Sequence, residues 1–101
     1  MARVAIIVEF TIKPGCWAAF DRVMREHARR TLETEPGCER FDVLQPLTDA
    51  GAPDEGRVML CEVYASDEDF AAHSRQPRLA EVRAATGPLL AGRVLTRCRM
   101  D

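Results

Sequence analysis

A chain of 101 residues, 47% apolar and with a formal net charge of −2, has the material for one domain around one core. Its acidic and basic residues are interspersed, so it lacks the concentrated basic face that phosphate binding needs, which excludes nucleic acid as the main partner. No apolar run approaches the roughly 20 residues that cross a bilayer.

The N-terminus, MARVAIIVEF, holds a short apolar run that soon meets Glu9 and does not have the layout of a signal peptide. RVAIIVEFTI, residues 3–12, alternates and is rich in β-branched residues, which predicts a strand. Lys13-Pro14-Gly15 breaks it, with Pro14 placed to open a helix that runs to about Thr34. At about 100° per residue, Cys16, Trp17, Phe20, Val23 and Met24 share one sector of this helix. His27 projects into that same apolar sector, opposite Arg22, Arg25, Glu26 and Arg29. Glu35-Pro36-Gly37 ends the helix.

CERFDVLQP, residues 38–46, predicts a second strand, and the turn-rich segment 48–56 joins it to a third, RVMLCEVYA, residues 57–65. Ser66 and Asp69 form an S-x-x-D capping box that starts a second helix through Phe70 and His73. Pro77 restarts a helical segment, Gly87-Pro88 closes it, and GRVLTRCRM, residues 92–100, is the last strand. The order β-α-β-β-α-β predicts one ferredoxin-like α+β domain over residues 1–101, with both helical segments on one face of an antiparallel sheet.

Strand alternation divides the side chains between two sheet faces. Val4, Ile6, Val8 and Phe10, then Phe41 and Val43, then Met59, Cys61 and Val63 form nearly pure apolar sets that should face the helices. The opposite sets mix Glu9, Arg40, Asp42, Glu62 and Tyr64 with Ile7, Leu44 and Leu60, a lining suited to a ligand cavity closed by a second copy of the chain. Tyr64 is the one aromatic residue there, too few for a stacking RNA platform.

The chain has two histidines, His27 and His73, each among apolar neighbours on a helix. One such imidazole is most simply a core residue bonded to a carbonyl. Two facing one sheet, near Glu62 and Tyr64, suggest proton transfer near neutral pH. Their spacing does not suit a metal site. Cys16, Cys38, Cys61 and Cys98 lie far apart without a C-x-x-C pair, as expected of apolar residues in a reducing cytoplasm. Arg93, Arg97 and Arg99 are strand solubilisers unless one turns inward to hold an anion.

EFTIKPG with its amphipathic helix, then RFDVLQ, CEVYASDEDFAAH and QPRL, taken in that order, resemble the antibiotic biosynthesis monooxygenase (ABM) domain family. The resemblance implies a homodimeric α+β barrel in which two sheets pack face to face. It also implies oxygen insertion into a small quinol-like or aromatic polyketide-like substrate without metal, flavin or haem. The spacing of His27, RFDVLQ, Tyr64 and His73 is most similar to a branch that isomerises phosphorylated autoinducer sugars; Arg40 or Arg97 would then hold the phosphate. The likeness puts His27, His73, Tyr64 and Glu62 in catalytic roles, with Asp42, Arg40, Glu9 and Leu60 expected to line the pocket. A non-catalytic small-molecule receptor is the alternative of a different class. The Asn and Trp typical of the haem-degrading branch do not stand at the corresponding places.

Overall fold

The computed structural model describes residues 2–101. Four strands, β1 (Arg3–Ile12), β2 (Cys38–Leu44), β3 (Arg57–Tyr64) and β4 (Leu90–Met100), form one sheet in the order β2-β3-β1-β4. Every pairing is antiparallel. Because β3 lies between β1 and β2, those two strands run parallel without touching, and α1 (Trp17–Thr34) makes the crossover between them. A second crossover, from β3 to β4, holds α2 (Asp67–Ser74), α3 (Pro77–Thr86) and a single 3-10 turn at Gly87–Leu89. This is the ferredoxin-like α+β fold that the element order predicts.

The breaks fall where the backbone chemistry requires them. Gly15 takes a φ of 77°, so the segment after β1 turns before α1 begins and Pro14 is not its first residue. Helix α1 buries Phe20, Met24, His27, Ala28 and Thr31, a stripe at helical spacing that confirms the inward sector around His27. At α2 the Ser66 Oγ accepts the Asp69 N–H at 3.2 Å and donates its own proton to Asp69 Oδ2 at 2.9 Å. Pro77 stands in the first turn of α3, where its missing N–H costs nothing. Gly37 passes so close to Asp69 that any Cβ there would overlap the carboxyl group, which ties the start of β2 to the start of α2.

Cross-strand partners share a sheet face, so the register settles which side chains meet the helices. Val4, Ile6, Val8 and Phe10 of β1 pair with Tyr64, Glu62, Leu60 and Val58 of β3, and all eight are buried under the helices. Phe20 and Met24 of α1 and Phe41 of β2 complete this core. The face expected for β3 is therefore reversed. Met59 and Cys61 lie on the open side, while Leu60, Glu62 and Tyr64 point at the helices. The polar pair tolerates burial because Tyr64 donates its hydroxyl proton to Glu62 Oε1 at 2.6 Å. No helix among the described residues is long and apolar enough to cross a membrane.

Candidate functional site

Between the helices and the buried sheet face lies a cavity of about 260 Å³. Its floor is apolar, built from Ile6, Val8, Phe10, Leu60 and Phe41, with Met24, Phe70, Leu79 and Val82 as walls. Into one part of it project His27 from α1, His73 from α2 and Glu62 from β3. The cavity expected over the open sheet face is thus found on the other side of the sheet. The reversal of β3 is the physical reason, because it carries Leu60 and Glu62 under the helices.

His73 is buried, and its ring is held through one nitrogen. Its Nδ1 lies 2.8 Å from Glu35 Oε1, and its Nε2 lies 3.9 Å from Glu62 Oε1, beyond hydrogen-bond reach. Glu35 follows the last turn of α1 and is itself held by Arg78 of α3, whose Nη2 donates to Oε2 at 2.7 Å and to Thr31 Oγ1 at 3.1 Å. A carboxylate accepts, so the imidazole proton sits on Nδ1 and the neutral ring keeps its Nε2 lone pair free. Arg78, Glu35 and His73 thus form a relay in which guanidinium fixes carboxylate and carboxylate fixes imidazole. Rings pack around it at a tilt: the Tyr64 and His27 centroids lie 5.3 and 5.5 Å from that of His73.

The other ionisable groups are tuned by burial. Desolvation raises the Glu62 carboxyl to about 7, against the opposing pull of the Tyr64 hydroxyl and of Arg93. Burial, reinforced by Glu62, pushes the Tyr64 phenol well above its ordinary value, so it remains a proton donor to Glu62. His27 is lowered to about 4, first by burial and then by repulsion from His73, Arg78 and Arg30, which keeps it neutral at pH 7. Its Nδ1 is buried with no hydrogen-bond partner. The Cys38 thiol is pushed up to about 11 by burial, which leaves it inert. Among the described residues, no three His, Cys, Asp or Glu side chains stand together as a metal would require.

Of the residues singled out in the sequence, His27, His73, Tyr64 and Glu62 come together here, and Leu60 is in the floor. Glu9, Arg40 and Asp42 do not join them. Glu9 shares the open face with its partners Met59 and Val94, and Arg40 is paired with Asp42 on that same face. Arg97 is on the helix side but outside the cavity; Arg93, four residues earlier on the same face, lines it. The sequence reading missed Glu35 and Arg78. Glu35 reads as part of a helix stop and Arg78 as a surface residue of a short helix, and neither has a spacing that announces its partner.

Residues 3–85 match the model of the antibiotic biosynthesis monooxygenase family. The chain belongs to that family. The ABM fold is also evident in solved structures. A candidate antibiotic biosynthesis monooxygenase from Caulobacter crescentus CB15 is similar with a TM-score of 0.89 at 24% identity, over 99% of this chain and 91% of that one. One from Nitrosomonas europaea gives 0.83 at 26% identity, over 96% and 88%. A conserved protein from Methanosarcina mazei Go1 gives 0.87 at 18% identity, over 100% and 95%. No curated protein sequence matches the ABM chain described here.

Proposed function

We propose that this ABM protein is a cofactor-independent monooxygenase acting on a small quinol-like or aromatic polyketide-like substrate, with His73 as the base. The observation that carries the reading is the Glu35-held imidazole with an unbonded Nε2 at the edge of an apolar cavity. A neutral imidazole oriented by a carboxylate suits proton abstraction near pH 7. His73 Nε2 takes a proton from an activated CH₂ of the phenolic substrate, leaving a delocalised carbanion. The carbanion passes one electron to dioxygen, the radical pair combines to a peroxide anion, and that anion takes the proton back from His73 Nε2 to give a hydroperoxide. Loss of water leaves a carbonyl, so one oxygen atom enters the product and the other leaves as water. The apolar floor keeps solvent from quenching the carbanion.

In this scheme Glu62, which gains its proton as pH falls through about 7, and Tyr64 form a hydrogen-bonded pair that orients the substrate oxygen. His27 stays neutral and acts as a hydrogen-bonding wall, so the two histidines do not share one role. The active assembly is a homodimer closed over the open sheet face, where Val94 is 58% and Leu44 44% exposed.

The test is oxygen uptake by purified protein with a panel of quinols and anthrone-like phenols. His73→Gln should keep the fold and lose about 10²–10⁴ of the rate, the usual contribution of a general base. Glu35→Gln keeps the shape but weakens the hold on Nδ1, so it should lower kcat and shift the pH profile with little change in KM. Uptake that survives His73→Gln unchanged would remove the histidine from the chemistry.

A further inference from the structure

Helix α1 carries four arginines, and they divide by direction. Arg25 is bonded to Asp21, and Arg29 to Glu26 and Glu33, all at helical spacing. Arg22 and Arg30 have no acidic partner among the described residues, and they line a second hollow of about 300 Å³ between α1 and α3. Arg78 faces them across it, with Val23 and Val82 beneath. Its carboxylates are Glu26, already held by Arg29, and Glu81.

Two side chains in the walls of this hollow each hold a buried nitrogen without a partner, Arg78 Nε and His27 Nδ1. A guanidinium Nε always bears a proton, so it is a donor facing no acceptor. Buried donors are rarely left this way, because desolvation without a hydrogen bond costs free energy. His27 is only 4% exposed and lines both this hollow and the sheet-side cavity, so its ring, with Val82, stands between them.

We propose that the α1–α3 hollow is a binding site for a small molecule bearing a carboxylate or phosphate group. The oxyanion is held by Arg22, Arg30 and Arg78, beside the His27 ring. Guanidinium forks match both groups in geometry, and the volume holds more than a bare ion. The site is distinct from the sheet-side cavity, although His27 and Val82 border both, and it does not depend on the chemistry assigned there.

The cationic groups that hold His27 down are His73 from α2, Arg78 from α3 and Arg30 from α1; the carboxylates around it are Glu62 from β3 in the first cavity, and Glu26 from α1, held by Arg29, and Glu81 from α3 in the hollow. An oxyanion in the hollow should therefore raise the pH at which His27 takes up a proton. Histidine NMR titrations of the full chain, with His73→Gln to assign the two rings, read this directly without any turnover. Saturating inorganic phosphate or acetate should move the His27 midpoint up by about 1 pH unit. The shift should vanish in an Arg22→Gln, Arg30→Gln double variant, whose two exposed side chains lie outside the core. A response to phosphate alone assigns the hollow to phosphate esters, and a response to acetate as well assigns it to carboxylates. A midpoint that moves no more than in chloride of equal ionic strength, or moves equally in the double variant, would overturn the site.

Discussion

His27 and Glu62 are buried within one cavity and tilt stability against pH in opposite directions. Glu62 titrates at about 7 in the fold against an ordinary 4.5. Between those values the folded chain keeps a proton that the unfolded chain has lost, so stability falls as pH rises from 4.5 to 7, by roughly 3 kcal/mol. His27 titrates at about 4 against an ordinary 6.5, and there the unfolded chain holds the extra proton. Its contribution is lost as pH falls from 6.5 to 4, by roughly the same amount. The two effects nearly cancel between pH 4.5 and 6.5. Glu62→Gln, which keeps an oxygen to accept the Tyr64 hydroxyl, should uncover a stability that rises with pH over that window. His27→Gln should uncover one that falls. Urea midpoints at pH 4.5 and 6.5 check both, and two variants tilting the same way would contradict the assignment. Sequence could select His27 because an ionisable side chain in an apolar stripe is conspicuous, whereas Glu62 was read on a mixed strand face that it assigned to the open side. It could not reveal Glu35 or Arg78, whose partners are 38 and 43 residues away and meet them only through tertiary packing.

At the scale of elements, punctuation was the readable part. Pro14-Gly15, Pro36-Gly37, Ser66 and Pro77 mark boundaries through backbone chemistry that needs no tertiary information, and elements do begin or end beside each of them. The facing of β3 was not readable. Met59, Cys61 and Val63 form the more apolar set, and a purely hydrophobic criterion turns them inward. The register with β1 turns Leu60, Glu62 and Tyr64 inward instead, and hydrogen bonding offsets the burial of polar atoms there. A strand that breaks the apolar rule on its buried face is therefore a mark of a site. The cap of α2 has a similar importance, since this eight-residue helix carries His73. Ser66→Ala removes the acceptor of the Asp69 N–H and should cost about 1 kcal/mol. Thermal melts would show the loss, and hydrogen exchange should place it in α2. An unchanged melt would mean that packing against Gly37 holds the helix start by itself.

For the molecule as a whole, the sheet leaves one face without helices. Ile7, Met59 and Cys61 are half-buried there, and Leu44 and Val94 are exposed beside Glu9 and the Arg40–Asp42 pair. A second sheet packed on this face would cover the apolar residues and leave the charged ones toward its rim. Val94→Asp would put an unpaired carboxylate into such an interface, and in a dimer that charge costs several kcal/mol. Sedimentation should show a dimer for the natural chain and a monomer of unchanged secondary structure for the variant. A natural chain that sediments as a monomer would end the idea.

The loop from Thr48 to Gly56 divides the chain into two halves, and the relay is divided with it. His27, Thr31 and Glu35 precede that loop; Glu62, Tyr64, His73 and Arg78 follow it. Severing the backbone at Gly51, which sits in an exposed turn, would leave one fragment with the carboxylate and the other with the imidazole it orients. Neither piece alone could hold His73 in one tautomer. Mixing them would regenerate the pair only as β2 zips onto β3 and α1 returns to the sheet, so turnover itself would report reassembly of the fold.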